Sequence, residues 1–350
     1  VLPEVVEQME RAQDQVIRTA YAGPLVVTGP AGSGKTTLAL HRVAYLMQSP
    51  ETAEFFPPEN VLVLVQDEGT KAYFSNLLPS LGIDRVAIQT FGEWAKELLG
   101  METHRRAPIR TVVGDYENLT YEFAKLTALK SGSIPESQRD PEKTLESVYA
   151  PFFSAEDSSR WYEQLKNKAL DRFDLTLLLK ARRNDGPFTI EKKYYEELRN
   201  GTYRKKTGSF PVRYNLVIID EFQNYLPEQI ELVKSCLNPR TNAIVYVGDL
   251  AQQTRVGTLR DWSAIKEHIP AERIVRLQKV YRNTKQILAY IRTLGYDVVI
   301  PESLKEGEPV AEKTVSSFAE EISLLTDLIP ADENRTLGIL APSSKRLAAI

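Results

Sequence analysis

The sequence predicts an α/β fold built on a parallel sheet. Short, wholly apolar runs recur between Gly, Pro, Asp or Asn residues, each the length of a buried strand. Helical patterns fill most of the intervals between them, and a glycine-rich loop joins the first run to the first helical stretch.

Taken in order, strands are expected at 25–28, 61–65, 86–89, 216–219, 243–247 and 337–340. Helices are expected at 36–47, 70–78, 91–99 and 227–236, where apolar residues return at helical spacing. From about residue 100 to 210 the alternation stops. That stretch reads as a helix-rich insertion, broken at 131–135 and at 184–187 by Gly, Pro and Ser. A second α/β unit is expected to open near Leu277.

Composition narrows the function classes. The chain of 350 residues is 42% hydrophobic and 26% charged, which suits more than one globular unit. Its net charge of −3 gives no global basic field, so nucleic acid would have to be met by a local patch. One cysteine, Cys236, excludes an internal disulfide and a cysteine zinc cluster, and suits a reducing cytosol and a cytoplasmic location. Three histidines lie far apart and offer no metal-ligand spacing. No apolar run approaches the ~20 residues of a membrane span, so no membrane partner is expected. The chain opens on Val1 and stops soon after a strand-like run, and the expectation is a piece of something longer.

Charge is uneven. Residues 160–213 hold 14 Lys/Arg against 7 Asp/Glu, interleaved with Trp161, Tyr162, Tyr194, Tyr195, Tyr203 and Phe210. Such a segment suits phosphate neutralisation and base stacking. It equally suits a solvated face with a few core aromatics.

The chemistry-bearing residues begin with Gly29-Pro30-Ala31-Gly32-Ser33-Gly34-Lys35-Thr36, a full G-x-x-x-x-G-K-[ST] match, with Thr37 continuing into the helix. Glycines let successive N–H groups turn inward and cradle phosphate oxygens at a helix N-terminus. Lys35 is placed to reach the β- and γ-phosphates and Thr36 to hold Mg²⁺. The apolar run at 216–219 ends in Asp220 and Glu221, the first suited to the metal shell and the second to polarising water. A third run ends in Gly248-Asp249-Leu250-Ala251-Gln252, whose amide can sense the γ-phosphate. Tyr281-Arg282 follows; an arginine facing the nucleotide from another domain would act as a finger. Upstream, the amide of Gln13 can recognise the adenine edge. No Asn-Lys-x-Asp guanine signature is present, which counts against a switch-type GTPase, and the tandem acids count against a kinase.

Phosphate loop, strand-Asp-Glu-x-Gln, Gly-Asp-x-x-Gln and Tyr-Arg-x-Thr, in that order, resemble the superfamily 1A helicases of the UvrD/Rep type. The segment RAQDQVIRTAYAGPLVVTGPAGSGKTT resembles that family's adenine-reading stretch running into its phosphate loop, and the likeness covers roughly 5–100 and 210–350. The resemblance implies a RecA-like P-loop NTPase domain over 1–100 and 211–276, a helical insertion over 101–210, and the start of a second RecA-like domain over 277–350. It implies that Gln13 reads adenine, Lys35 and Thr36 hold phosphate and Mg²⁺, and Asp220 and Glu221 serve metal and water. Gln252 then couples nucleotide state to nucleic acid, and Arg282 comes from the second domain. The nucleic-acid candidates are Thr90, Phe91, Trp262, Arg182, Arg183, Arg204, Lys205 and Lys206. The family's last two motifs are expected beyond Ile350, which implies weak ATP turnover by residues 1–350 alone.

Departures fall on the nucleic-acid side. Where the family carries Thr-Phe-Thr-Asn-Lys-Ala, this chain reads Val65-Gln66-Asp67-Glu68-Gly69-Thr70-Lys71. Thr-Phe-His becomes Thr90-Phe91-Gly92, the aromatic after Gln252 is replaced by Gln253-Thr254-Arg255-Val256, and Trp262 is left as a stacking ring or a core residue. Asn224 stands where Asp is usual. The stretches FFPPENVLVLV and LLPSLGIDRVAIQTFGEWAKELL look much like the HelD/helicase IV branch. The resemblance thus implies an ATP-dependent motor that moves 3′→5′ on, or unwinds, single-stranded or junction DNA. The alternative is a HelD-like ATPase that remodels RNA polymerase.

Overall fold

The computed structural model describes residues 11–101, 109–112, 118–134, 140–198, 201–277, 283–296, 300, 302, 304–329, 337–341 and 344–350. The chain divides into two compact units, Val1–Gly114 with Thr120–Arg282, and Asp115–Leu119 with Asn283–Ile350.

The first unit is α/β and RecA-like. It opens with α1 (Arg11–Arg18), β1 (Gly23–Thr28), α2 (Lys35–Gln48), β2 (Val61–Val65), α3 (Glu68–Ser80), β3 (Ala87–Thr90) and α4 (Phe91–Leu98). The insertion follows: a two-residue strand β4 (Arg110–Thr111), α5 (Leu119–Ser131), α6 (Pro141–Tyr149), α7 (Ala155–Lys166), β5 (Ala169–Leu170), α8 (Arg172–Asn184), and strands β6 (Thr189–Glu197) and β7 (Tyr203–Pro211). The chain then returns through β8 (Leu216–Asp220), α9 (Pro227–Lys234), β9 (Ala243–Val247) and β10 (Ile274–Arg276). Among the described residues the main sheet has six strands in the order β10-β1-β9-β8-β2-β3, every pair parallel.

Strand residues alternate between two apolar cores, as a sheet covered on both faces requires. Leu25, Val27, Val61, Val63, Leu216, Ile218 and Val245 pack with Val16 of α1, Leu38, Leu40 and Val43 of α2, and Phe74 of α3. Val26, Leu62, Leu64, Val217, Ile219 and Tyr246 face the other way, into a cluster with Trp94, Leu129, Leu145, Trp161 and Phe173. Helices of the insertion thereby share a core with the sheet. Local signals start these helices: Asp67 caps α3, Thr90 with Glu93 and Asp171 with Asp174 form reciprocal caps on α4 and α8, and Asp140 precedes Pro141 at the start of α6.

Inside the insertion Lys125 is fully buried, its Nζ bonded to Asp171 and, at 2.9 Å, to Asp174 Oδ1. The Tyr149 hydroxyl donates to Asp174 at 2.7 Å and the Gln164 amide at 2.6 Å. Burial and the neighbouring Asp171 push Asp174 up to about 6 despite the ammonium of Lys125.

Two expectations are corrected. The end of the helix-rich insertion is an antiparallel hairpin of two nine-residue strands, β6–β7, paired from Thr189↔Pro211 to Glu197↔Tyr203. Both its faces are largely exposed, so it lacks the period-two apolar pattern that marks a half-buried strand. The stretch 337–340 forms no strand, and Leu340 is fully exposed. A buried parallel strand needs strand neighbours, and among the described residues the second unit contains only the helices α10 (Lys285–Thr293), α11 (Phe318–Asp327) and α12 (Ser344–Ala349). Leu277 belongs with the first unit, its N–H donating to Thr28 O at 2.8 Å. Among the described residues no helix is long and apolar enough to cross a membrane.

Candidate active site

Sheet order brings the carboxyl ends of β1, β9 and β8 side by side, where open α/β sheets bind ligands. From β1 the chain turns through the glycine loop. Gly32 and Gly34 sit at φ +80° and +83°, which L side chains rarely adopt, and Gly34 caps α2 without a side chain. A Cβ on Gly29 would fall 2.3 Å from Leu277 O, whereas one on Gly34 would meet nothing within 4 Å among the described residues. Gly34 stands at the N-terminus of α2, where the helix dipole favours an anion. The Ser33 hydroxyl is buried and has no hydrogen-bond partner among the described residues. Lys35, 6% exposed, folds its ammonium back onto Gly29 O at 2.8 Å and Pro30 O at 3.0 Å. Ala31 is exposed at the loop tip, and Thr37 lies in the first turn of α2.

The Thr36 hydroxyl donates to Asp220 Oδ1 at 2.8 Å. Burial pushes Asp220 up to about 7, opposed by the bond from Thr36 and assisted by the charge of Glu221. One hydroxyl and one carboxylate are hard oxygen ligands that leave further positions to phosphate and water, the donor set that Mg²⁺ takes. No group of three or more His, Cys, Asp or Glu residues that could by itself hold a metal ion is present among the described residues.

Glu221 leaves the strand at φ +50°, a left-handed conformation uncommon outside glycine and concentrated at functional sites. It precedes a short turn over Phe222–Asn224. The Gln223 side chain, 1% exposed, joins two motifs: its amide donates to the Glu221 carboxylate, and its Oε1 accepts the Asp249 N–H at 3.1 Å. Asp249 in turn accepts the Gln252 amide at 2.9 Å. Gly248, at φ +151°, makes this approach possible, since a Cβ there would lie 2.1 Å from Gln223 Oε1. In the sequence Gln223 is marked only as the last residue of Asp-Glu-x-Gln, two positions after Glu221, and its bridging role needs the fold.

Further along, Asn224 Oδ1 accepts both the N–H and the hydroxyl of Thr254, at 3.1 and 3.0 Å. Val256 O accepts from Arg172 of α8 at 2.7 Å, and Gly257 approaches Leu126 of α5 too closely for a Cβ. The loop after Gln252 is thereby tied to the insertion. A cavity of about 250 Å³ opens beside it, lined by Gln66, Asp67, Thr90, Arg172, Asn224 and Arg255 among others. Arg172 is buried, pairs with Glu122 at 3.0 Å, and leaves Nε and Nη1 without hydrogen-bond partners among the described residues.

Three nucleic-acid candidates have partners within the fold. Phe91 is 8% exposed and packs on Trp94 and Tyr225. Trp262 lies on Phe222, ring centroids 5.0 Å apart, and against Tyr246, so it serves the core. The Thr90 hydroxyl caps α4. Apolar packing and helix capping engage these side chains, while Thr90 also lines the cavity and Trp262 stays half-buried. Arg182 and Arg183 occupy the last turn of α8. Arg204, Lys205 and Lys206 lie on β7, with Arg204 and Lys205 exposed and Lys206 paired to Glu196 at 2.6 Å. Gln13 falls in the first turn of α1, its side chain outside the described residues; Tyr281 and Arg282 also lie outside them.

Comparison with known proteins agrees with this geometry. The UvrD/REP helicase N-terminal domain matches residues 9–254. The ATP-dependent DNA helicase PcrA of Bacillus subtilis is 24% identical over 317 residues, which is 81% of this chain and 39% of that protein. PcrA of Staphylococcus epidermidis is 23% identical over 316 residues, and PcrA of Staphylococcus aureus 23% over 319, with the same coverage. The chain thus spans about two-fifths of the length of these curated relatives.

Proposed function

The chain belongs to the UvrD/REP helicase family, and from that premise we propose that it is the ATP-binding part of a motor that couples ATP hydrolysis to movement on, or unwinding of, DNA. The observation that carries this reading is the Thr36–Asp220 pair beside Glu221, linked through Gln223 and Asp249 to Gln252. The likeness to relatives named ATP-dependent DNA helicase PcrA supports it.

In this proposal the glycine loop and the N-terminus of α2 bind the triphosphate, and Lys35 exchanges two loop carbonyls for phosphate oxygens. Thr36 and Asp220 are the residues that would hold Mg²⁺, whose chemistry there is to neutralise charge on those oxygens. Glu221 orients the attacking water and accepts its proton. Gln223 holds that carboxylate and carries its position to Asp249 and Gln252, and so to the loop docked on the insertion. Gln13 contacts adenine, and Arg282 faces the nucleotide as an arginine finger. Residues 1–100 and 211–276 form a RecA-like domain with 101–210 as its insertion, and a second RecA-like domain follows the compact unit that ends at Arg282. A cytoplasmic location and 3′→5′ polarity belong to the same reading.

A second reading is a HelD-like ATPase acting on RNA polymerase. It is favoured by Asp67 and Glu68 offsetting the charge of Arg172 and Arg255 at the cavity beside the site, and by Phe91 and Trp262 packing against the core. ATPase assays of the intact protein at low salt separate the two. Stimulation by single-stranded DNA alone supports the motor; stimulation by RNA polymerase, with none by DNA, overturns it in favour of the second reading.

A further inference from the structure

Arg42 lies on α2, two turns beyond Lys35, in a helix whose neighbouring residues Leu40, Val43 and Leu46 are core. Its side chain is 1% exposed, and among the described residues its hydrogen bonds all go to main-chain carbonyls. Nη1 donates to Val16 O at 2.7 Å, Ile17 O at 3.2 Å and Thr19 O at 2.8 Å, and Nη2 to Ala20 O at 3.1 Å. These carbonyls lie in and just beyond the last turn of α1, which a helix leaves unsatisfied and a cation complements.

A second guanidinium closes on the same segment from another direction. Arg273, just before β10, donates from Nη1 to Ala20 O at 2.7 Å, from Nη2 to Ala22 O and Gly23 O, each at 2.9 Å, and from Nε to Pro24 O at 2.8 Å. Ala20 O accepts from both arginines. Burial, assisted by the like charge of Arg273, pulls Arg42 down to about 10. Two buried or half-buried cations held close together oppose one another, so simple packing is poorly served by this arrangement. It does fix the C-terminal end of α1 to α2 and to the sheet edge. The eight-residue α1, with Val16 fully buried, is thereby held at its C-terminal end by two side chains.

We propose that Arg42 and Arg273 are positioning residues for base selection: they set the helix that carries Gln13 at a fixed distance from the glycine loop, so that adenine and triphosphate are read together. The inference rests on Gln13 being the adenine contact. Because Arg42 and Lys35 share α2, one rigid helix relates the phosphate site to the base site.

The test compares affinities of the intact protein for ATP, GTP and inorganic tripolyphosphate, in the wild type and in Gln13→Ala, Arg42→Lys and Arg273→Gln. Gln13→Ala is expected to collapse the ATP-over-GTP preference. Arg42→Lys and Arg273→Gln are expected to lower it by about tenfold, with tripolyphosphate affinity held within about twofold. Should Arg42→Lys not fold, Arg273→Gln, whose side chain reaches the surface, gives the answer alone. A preference lost in Gln13→Ala but kept in both arginine variants overturns the positioning role. Parallel loss of ATP and tripolyphosphate binding in the arginine variants also overturns it, leaving them as fold residues. A preference unchanged in Gln13→Ala removes the adenine reading itself and this inference with it.

Discussion

The Thr36 hydroxyl donates to Asp220 across 2.8 Å although 184 residues separate the two in sequence. The pair exists because β1 and β8 flank β9 in one parallel sheet and end at the same edge. Thr36→Val removes the hydroxyl while keeping the shape. The expected outcome is that ATP affinity in Mg²⁺ falls about 10–100-fold, toward the value measured in EDTA. A labelled-nucleotide titration with and without Mg²⁺ checks this, and a retained Mg²⁺ dependence would contradict it.

Gly248 permits the bridge from Glu221 to Asp249. In Gly248→Ala the new methyl lies 2.1 Å from Gln223 Oε1 at a backbone angle unsuited to alanine, so Gln223 must leave. Hydrolysis is expected to slow by about tenfold or more with ATP affinity nearly unchanged. Separate measurement of kcat and of nucleotide Kd decides the matter.

The buried cluster around Lys125 gives a stability prediction with a sign. Asp174 lies above its ordinary value of 3.8, so the stability it contributes is full below that pH and is lost as pH rises through about 6. Lys125→Met leaves two buried carboxylates without their cation. It should cost about 3–5 kcal/mol at alkaline pH and less at mildly acid pH, where the carboxylates take up protons. Urea unfolding at both pH values measures the difference, and an equal cost at each would contradict the coupling.

Charge reversal at Arg182, Arg183, Arg204 and Lys205 should weaken binding of single-stranded DNA and flatten its salt dependence. Lys206 should contribute less, because Glu196 already neutralises it. Unchanged affinity in fluorescence anisotropy would make the basic segment a solvated face.

The strands were legible because each is a short apolar run ending in a turn residue: Val61–Val65 and Ala243–Val247 fall where the runs place them. The phosphate loop and the Asp220-Glu221 pair were legible because their chemistry demands particular residues at fixed spacing after a strand. The β6–β7 hairpin was not, since a strand pair exposed on both faces has no apolar alternation; Asn200-Gly201, a hairpin-turn signal, was its one local mark. Roles that depend on long-range partners, such as Arg42 gathering carbonyls of α1 or Trp262 lying on Phe222, need the fold before they can be read. An arginine set within the apolar run of α2 was the sole hint of the first.

The most direct measurement is single-turnover hydrolysis set beside nucleotide binding in Glu221→Gln. If Glu221 accepts the proton of the attacking water, the variant binds ATP as the wild type does and the bond-breaking rate falls by about 10²–10⁴-fold. Normal hydrolysis by Glu221→Gln would contradict the account at its centre.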